Sequence, residues 1–251
     1  MDDITLDSIG PLRLYQRKEG YRFSVDAVLL AHFPVLSRKT RHVADLCAGS
    51  GVVGLLIAKR FPWTELVLVE LQESLAELAR RNIVLNGLEE RVSLSRADIR
   101  ELGKGTSPVI SPGSLDAVAV NPPFRPLNTG RISPAGERAI ARHEIALRLD
   151  DLMGAVKRIL KNGGRLYIIY HPSRLSELIE SMRREGIEPK RMRFVHPRKG
   201  ESSTMVLVEG LKGGGVELSV EPPLYVYRND GGYTSEVEEM LGGSSKGPNP
   251  L

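Results

Sequence analysis

Four consecutive residues, Asn121-Pro122-Pro123-Phe124, bring together the groups needed to hold a flat molecule by an amine. The side-chain oxygen of Asn121 can accept one hydrogen of that amine, and the backbone carbonyl of Pro122 can accept the other. Two prolines restrict the turn, so this carbonyl keeps its aim. Phe124 offers a ring face for stacking, a contact worth ~1–3 kcal/mol when the partner is a nucleobase. Neither asparagine nor proline can remove a proton. Chemistry here would therefore rest on positioning and electrostatics, with the proton given to water after the nitrogen has reacted. Asn-Pro-Pro can also be a plain rigid turn with Phe124 in a core, and what stands beside it separates the two readings.

A second set precedes it. Val43-Ala44-Asp45-Leu46-Cys47-Ala48-Gly49-Ser50-Gly51-Val52-Val53-Gly54 reads as a strand, a glycine-rich turn and the start of a helix. Glycines at 49 and 51 let the backbone turn sharply and approach a ligand, with the helix N-terminus facing it. One strand and one helix later, Val67-Leu68-Val69 ends in Glu70, whose carboxylate can take both hydroxyls of a ribose. On chemistry alone this fits a dinucleotide enzyme or a methyltransferase. The spacing Asp-x-x-x-Gly-x-Gly-x-x-Gly resembles the nucleotide-binding motif of class I methyltransferases. Arg96-Ala97-Asp98-Ile99 stands where such enzymes place an acid beside the adenine of their cofactor, although Asp98 can equally cap a helix. The resemblance implies S-adenosylmethionine as cofactor. It would be bound along Asp45, Cys47, Ala48, Gly49, Ser50 and Gly51, at Glu70 and Leu71, at Ala97, Asp98 and Ile99, and beside Asn121.

These residues need a frame. Short β-rich apolar runs at His42–Cys47, Glu65–Glu70, Val92–Ser95, Leu115–Val120 and Arg165–Tyr170 alternate with helical patterns at Gly51–Arg60, Gln72–Asn86, Leu149–Leu160 and Arg174–Glu185. Alternation of this kind predicts an α/β fold, Rossmann-like, with a mostly parallel seven-stranded sheet and helices on both faces. Asn86-Gly87 and Asn162-Gly163-Gly164 read as helix stops. After Gly186 the pattern changes to two strands, Arg191–His196 and Thr204–Glu209, with a basic turn between them, an antiparallel edge hairpin. Residues 1–40 read as a small N-terminal cap made of a hairpin near Leu12–Gln16 and a helix from Ser24 through Phe33. Residues 41–241 form the main domain, Gly103–Gly113 is a loop, and 242–251 is a disordered tail of Gly, Ser, Pro and Asn.

Composition narrows the classes. The 251 residues are 41% hydrophobic and 26% charged, the balance of a folded globular chain. The apolar run Val25–Leu36 is broken by Asp26, His32 and Pro34 and is too short for the ~20 residues of a membrane span. One cysteine, Cys47, allows neither an internal disulfide nor a Cys-rich zinc cluster, and fits a cytoplasmic protein with no metal. The net charge of +4 is small, but its distribution is not even. Between Arg183 and Lys199 seven basic residues face only Glu185 and Glu188, and Arg125, Arg131, Arg138 and Arg142 face only Glu137. Solvated surface accounts for any one such stretch; together they suit RNA. Oligomeric state is not written in the sequence.

Three further stretches are more particular: Gly20-Tyr21-Arg22-Phe23-Ser24-Val25-Asp26-Ala27, Ala141-Arg142-His143-Glu144, and Phe194-Val195-His196-Pro197-Arg198-Lys199-Gly200-Glu201. With the motifs above they resemble the bacterial tRNA(Val) adenine-N6 methyltransferases and their relatives from about residue 10 to about residue 240. The resemblance implies methylation of an adenine amine in tRNA, with Asn121, Pro122, Pro123 and Phe124 at the base. It implies a lid from Arg22 and Asp26, which could otherwise be a helix-capping ion pair, and RNA phosphates at Arg125, Arg131, Arg198 and Lys199. His143 and His196 suit structural roles better than that of a general base. Three other functions share parts of the pattern: a guanine-N2 enzyme of ribosomal RNA, a protein glutamine N-methyltransferase, and a non-catalytic RNA-binding module.

Overall fold

The computed structural model of the chain describes residues 4–18, 25–104, 110–123 and 147–242. Its centre is a sheet whose long strands are β3 (His42–Leu46), β4 (Glu65–Glu70), β5 (Val92–Arg96), β6 (Leu115–Val120), β7 (Leu160–Tyr170), β8 (Ile187–His196) and β9 (Met205–Lys212). They lie in the order β8-β9-β7-β6-β3-β4-β5. β5, β4, β3, β6 and β7 are mutually parallel, while β9 runs antiparallel between β7 and β8. Seven strands with an antiparallel hairpin at one side are what the sequence predicts. The hairpin is not a bare edge, because two short strands, β10 (Ser219–Val220) and β11 (Leu224–Tyr225), pair with the outer side of β8.

Strand residues alternate between two cores, as the period of two requires. Val43, Leu66, Leu68, Ala117, Ala119, Tyr167 and Ile169 face α1 (Val25–His32), α2 (Val52–Arg60) and α3 (Glu73–Leu85). Ala44, Leu46, Val69, Val118, Val120, Leu166 and Ile168 face α4 (Leu149–Ile159) and α5 (Leu175–Arg184). With helices on both faces, these strands read as nearly continuous apolar runs rather than as half-exposed ones. In α4 the buried positions Leu152, Met153, Ala155, Val156 and Ile159 keep helical spacing. Asp150 and Asp151 at its start, and Lys157 and Arg158 at its end, suit the helix dipole.

Asn86-Gly87 ends α3 as expected, with Gly87 in the left-handed region at φ +62°. Asn162-Gly163-Gly164 does not act as a helix stop. α4 ends at Ile159, β7 begins at once, and the glycines lie inside the strand. Leu160 pairs with Leu115 but Arg165 with Ala117, so the extra residues form a bulge beside β6. Lys212 Nζ, donating to the carbonyls of Lys157 and Leu160, satisfies the helix end instead.

Ahead of the sheet stand β1 (Ile4–Ile9) and β2 (Leu12–Arg17), an antiparallel hairpin. Its Leu12, Leu14 and Gln16 are buried while Arg13 and Arg17 face solvent. Gly10, at its turn, donates its N–H to the Leu241 carbonyl (3.0 Å) at the end of α6 (Ser235–Met240). The tail from 243 onward, much of the loop predicted at Gly103–Gly113, and Ser24 at the predicted start of α1 lie outside the described residues.

Candidate cofactor and amine site at the carboxyl rim

The chain builds β3, β4 and β5 outward in one direction, then crosses to place β6 on the other side of β3. The carboxyl ends of β3 and β6 therefore flank a switch point, where open α/β sheets bind ligands. Leu46 pairs with Val120, so the glycine loop and Asn121 leave adjacent strands at the same level. Two motifs separated by about seventy residues of sequence become neighbours.

Asp45 is 1% exposed and accepts the Gly54 N–H on Oδ2 (2.8 Å), while its Oδ1 has no partner. Burial pushes its carboxyl up to about 7, against the pull of the Gly54 N–H, and the charge of Glu70 adds to the rise. Glu70, 6% exposed, accepts the Gly49 N–H on Oε2 (2.8 Å) and the Gln72 N–H on Oε1 (2.8 Å). Each of its oxygens keeps a second lone pair for a hydroxyl.

Gly49 and Gly51 take φ values of +56° and +90°, and Cys47 takes +57°, unusual for a residue with a side chain. Burial, then the charges of Glu70 and Asp45, push the Cys47 thiol up. Gly54 serves packing. A Cβ there would come within 2.3 Å of Leu68 Cδ2 and 2.8 Å of Leu66 Cδ2, so only glycine seats α2 on β4.

S-adenosylmethionine fits this set. An unpartnered buried carboxylate oxygen suits a cationic or hydrogen-bonding group, a second carboxylate with free lone pairs suits a ribose, and the open glycine turn admits a close approach. Asp98 realises the capping alternative: it caps a 3-10 turn at Ile99–Glu101 by accepting the Arg100 N–H (2.9 Å). The Arg100 guanidinium, hydrogen-bonded to both carboxylate oxygens, holds Asp98 below the usual carboxylate range. Ala97 is tied to the rim through its N–H to the Glu70 carbonyl (3.3 Å). Asn121 is half-buried, Pro122 buried and Pro123 exposed. Phe124, Arg125, Arg131, Arg22 and the Ala141–Glu144 stretch with His143 lie outside the described residues. Asp26 sits in the first turn of α1.

The basic stretch from Arg183 to Lys199 is less of a patch than its sequence suggests. Arg183 and Arg184, at the end of α5, precede the start of β8 and so stand at the opposite rim. Arg183 pairs with Glu188, Arg184 with Asp150 and Glu180, Lys190 with Glu217, Arg191 with Glu209 and Glu221, and Arg193 with Glu236. Carboxylates distant in sequence neutralise what a local count leaves positive. Arg198 and Lys199 do reach the carboxyl rim, since β8 runs parallel to β7. Arg198 pairs with Glu201 (3.3 Å) and lies over the Tyr227 ring at 5.5 Å, and Tyr227 stacks on Tyr233. His196 is structural, its Nδ1 2.7 Å from the Glu201 carbonyl. A cavity lined by Ser37, Thr40, Arg165, Lys190, Arg191 and Glu209 opens toward the amino ends of the strands, away from the glycine loop.

Sequence reasoning missed Asn82 and Asn86 on α3. Asn82, fully buried, donates to the Ser50 carbonyl (2.9 Å) and thus holds the glycine loop itself. Its signal was available: seven residues after Leu75, it occupies an apolar-stripe position of α3.

A glycine turn after β3, an acid ending β4 and an Asn-Pro-Pro turn after β6 define an S-adenosylmethionine-dependent class I methyltransferase. A model of the methyltransferase small domain family matches residues 24–182, and the chain belongs to that family. A relative in Porphyromonas gingivalis, named tRNA1(Val) (adenine(37)-N6)-methyltransferase, is 30% identical over 138 residues, 55% of this chain and 52% of that protein. The match thus spans about half the length of that relative. A protein of the same name in Aliivibrio salmonicida is 26% identical over 227 residues, covering 88% of this chain and 89% of its own. Among solved structures, one described as a predicted O-methyltransferase of Agrobacterium tumefaciens is 25% identical with a TM-score of 0.69, covering 86% of this chain and 95% of its own.

Proposed function

We propose that the protein methylates the exocyclic N6 amine of an adenine in RNA, with tRNA as the substrate. The observation that carries this reading is the adjacency of Asn121 to the glycine loop across the β3–β6 pair. The bound cofactor supplies an electrophilic methyl group. The chain's own residues would hold the nucleophile. Asn121 Oδ1 and the Pro122 carbonyl accept the two amine hydrogens, which favours a nitrogen whose lone pair faces the cofactor. No side chain of this turn can take the proton, which passes to solvent. The buried Pro122 keeps its carbonyl fixed, so little reorganisation is needed when charge develops on the nitrogen. Asp45, Cys47, Ala48, Gly49, Ser50, Gly51, Glu70, Leu71, Ala97, Asp98, Ile99 and Asn121 are the proposed cofactor contacts, with Arg22 and Asp26 as a lid. Phe124 is the proposed stacking partner of the base. A base in a stem or stacked loop must be flipped to reach the turn, at a cost of a few kcal/mol.

Adenine, rather than another planar nitrogen, is supported by the names of the relatives, two of which share this one name at 26–30% identity. Arg125, Arg131, Arg198 and Lys199 would engage phosphates; the ion pair of Arg198 is exposed and can be exchanged for one. The test is incubation of purified protein with labelled S-adenosylmethionine and tRNA from a strain lacking the gene, followed by nucleoside analysis. Label in N6-methyladenosine is expected. Label in N2-methylguanosine or in protein would replace the adenine reading, and no transfer with bound cofactor would favour a binding module.

A further inference from the structure

Asn82 and Asn86 stand one turn apart on α3 and repeat one arrangement. Asn82 Oδ1 accepts the Tyr15 N–H (2.7 Å) and its Nδ2 donates to the Tyr15 carbonyl (3.2 Å). Asn86 Oδ1 accepts the Arg13 N–H (3.0 Å) and its Nδ2 donates to the Arg13 carbonyl (2.7 Å). The fit is geometric. Four residues along a helix advance about 6 Å, and two along a strand about 6.7 Å, so amides at i and i+4 can meet alternate residues of one strand edge. Arg13 and Tyr15 face the edge of β2 that β1 leaves free, by the alternation of an antiparallel pair. α3 thus completes the hairpin in the way a third strand would.

The two asparagines differ in one respect. Asn82 Nδ2 also donates to the Ser50 carbonyl (2.9 Å), between the two glycines of the loop, one residue from the N–H that Gly49 gives Glu70. Asn86 instead turns its spare hydrogen to the Asn82 carbonyl of its own helix (2.7 Å). One buried amide therefore joins the hairpin to the glycine loop.

We propose that Asn82 is a positioning residue that couples cofactor occupancy of the glycine loop to docking of the N-terminal hairpin. The inference rests on the reading that residues 48–51 hold the cofactor. A ligand that fixes the Ser50 carbonyl fixes Asn82, and Asn82 in turn fixes the edge of β2. Linkage requires the converse: a docked hairpin tightens cofactor binding by the same factor.

The full chain, titrated with S-adenosylhomocysteine and followed by calorimetry and hydrogen exchange over the hairpin, tests this. In the unmodified protein the ligand should slow exchange at Tyr15 by about tenfold. N82A should bind about tenfold more weakly and lose that response. N86A, which frees the hairpin only at Arg13 and leaves the Asn82 bonds to Tyr15 and Ser50 in place, should exchange faster at Arg13 yet bind within about twofold of the unmodified protein. Should N82A fail to fold, N82D keeps an acceptor for the Tyr15 N–H but gives up both donors, and should show the same weakened binding. Equal losses of affinity in N82A and N86A would overturn the proposal, leaving hairpin stability as the cause. So would unchanged affinity in N82A or N82D. An unmodified protein that binds no S-adenosylhomocysteine would instead overturn the cofactor reading beneath it.

Discussion

The carboxyl rim is built in two manners. Around β3 and β4 the acidic groups are buried and held by backbone: Asp45 by the Gly54 N–H, and Glu70 by Gly49 and Gln72. Around the β8–β9 turn the charged groups are exposed and held by each other, as Arg198 is by Glu201. Backbone-held, desolvated carboxylates cannot relax, so they can fix a small ligand in one pose. Exposed pairs are screened and individually worth little, so a phosphate can replace the carboxylate at low cost. The first half suits one cofactor and the second a variable polyanion.

Removing the amine's holder should have the largest effect. N121A is expected to lower kcat/KM about a hundredfold to a thousandfold while weakening the cofactor by no more than about tenfold, since Asn121 is one of many proposed contacts, read by single-turnover transfer and calorimetry. A matching loss of cofactor binding would show that Asn121 belongs to the cradle alone. E70A should weaken S-adenosylhomocysteine by about tenfold to a hundredfold, the worth of charge-assisted bonds to two hydroxyls, with RNA affinity unchanged.

A smaller effect, set by pH, follows from Asp45. The folded chain holds this proton up to about 7, whereas the unfolded chain releases it near 3.8. Its contribution to stability is thus full below 3.8 and is lost as pH rises toward 7. A ligand donating to Oδ1 prefers the ionised form, so affinity should rise by up to about tenfold per unit between about 5.5 and about 7, then level off. In D45N this slope should vanish; a slope that persists assigns the titration elsewhere. The smallest effect belongs to the other half: R198A and K199A should each raise the RNA Kd several-fold, reduce the salt slope by about one, and leave the cofactor untouched.

How far these regions could be read in advance follows their physics. Asp45, the glycines and Glu70 were legible because backbone approach demands fixed residue types at fixed spacing. The strands were legible because burial on both faces leaves unbroken apolar runs. The helix stop at Asn162-Gly163-Gly164 was misread, since whether glycines end a helix or bulge a strand depends on the neighbour β6, which local sequence does not contain. The basic stretch at Arg183–Lys199 was overcounted for the same reason: Asp150, Glu209, Glu217, Glu221 and Glu236 come from elsewhere in the chain.

By itself, then, the sequence determined the fold class, the glycine loop with its two acids, and the Asn-Pro-Pro turn, because each is a local demand on backbone or side-chain type. Only the tertiary structure decided that Asn121 stands beside that loop, that Asp98 caps the turn at Arg100, that most of the basic stretch is neutralised, and that Asn82 ties Ser50 to Tyr15. Each of these depends on which strand lies next to which, and that is settled by burial of two cores against one sheet rather than by any short run of residues.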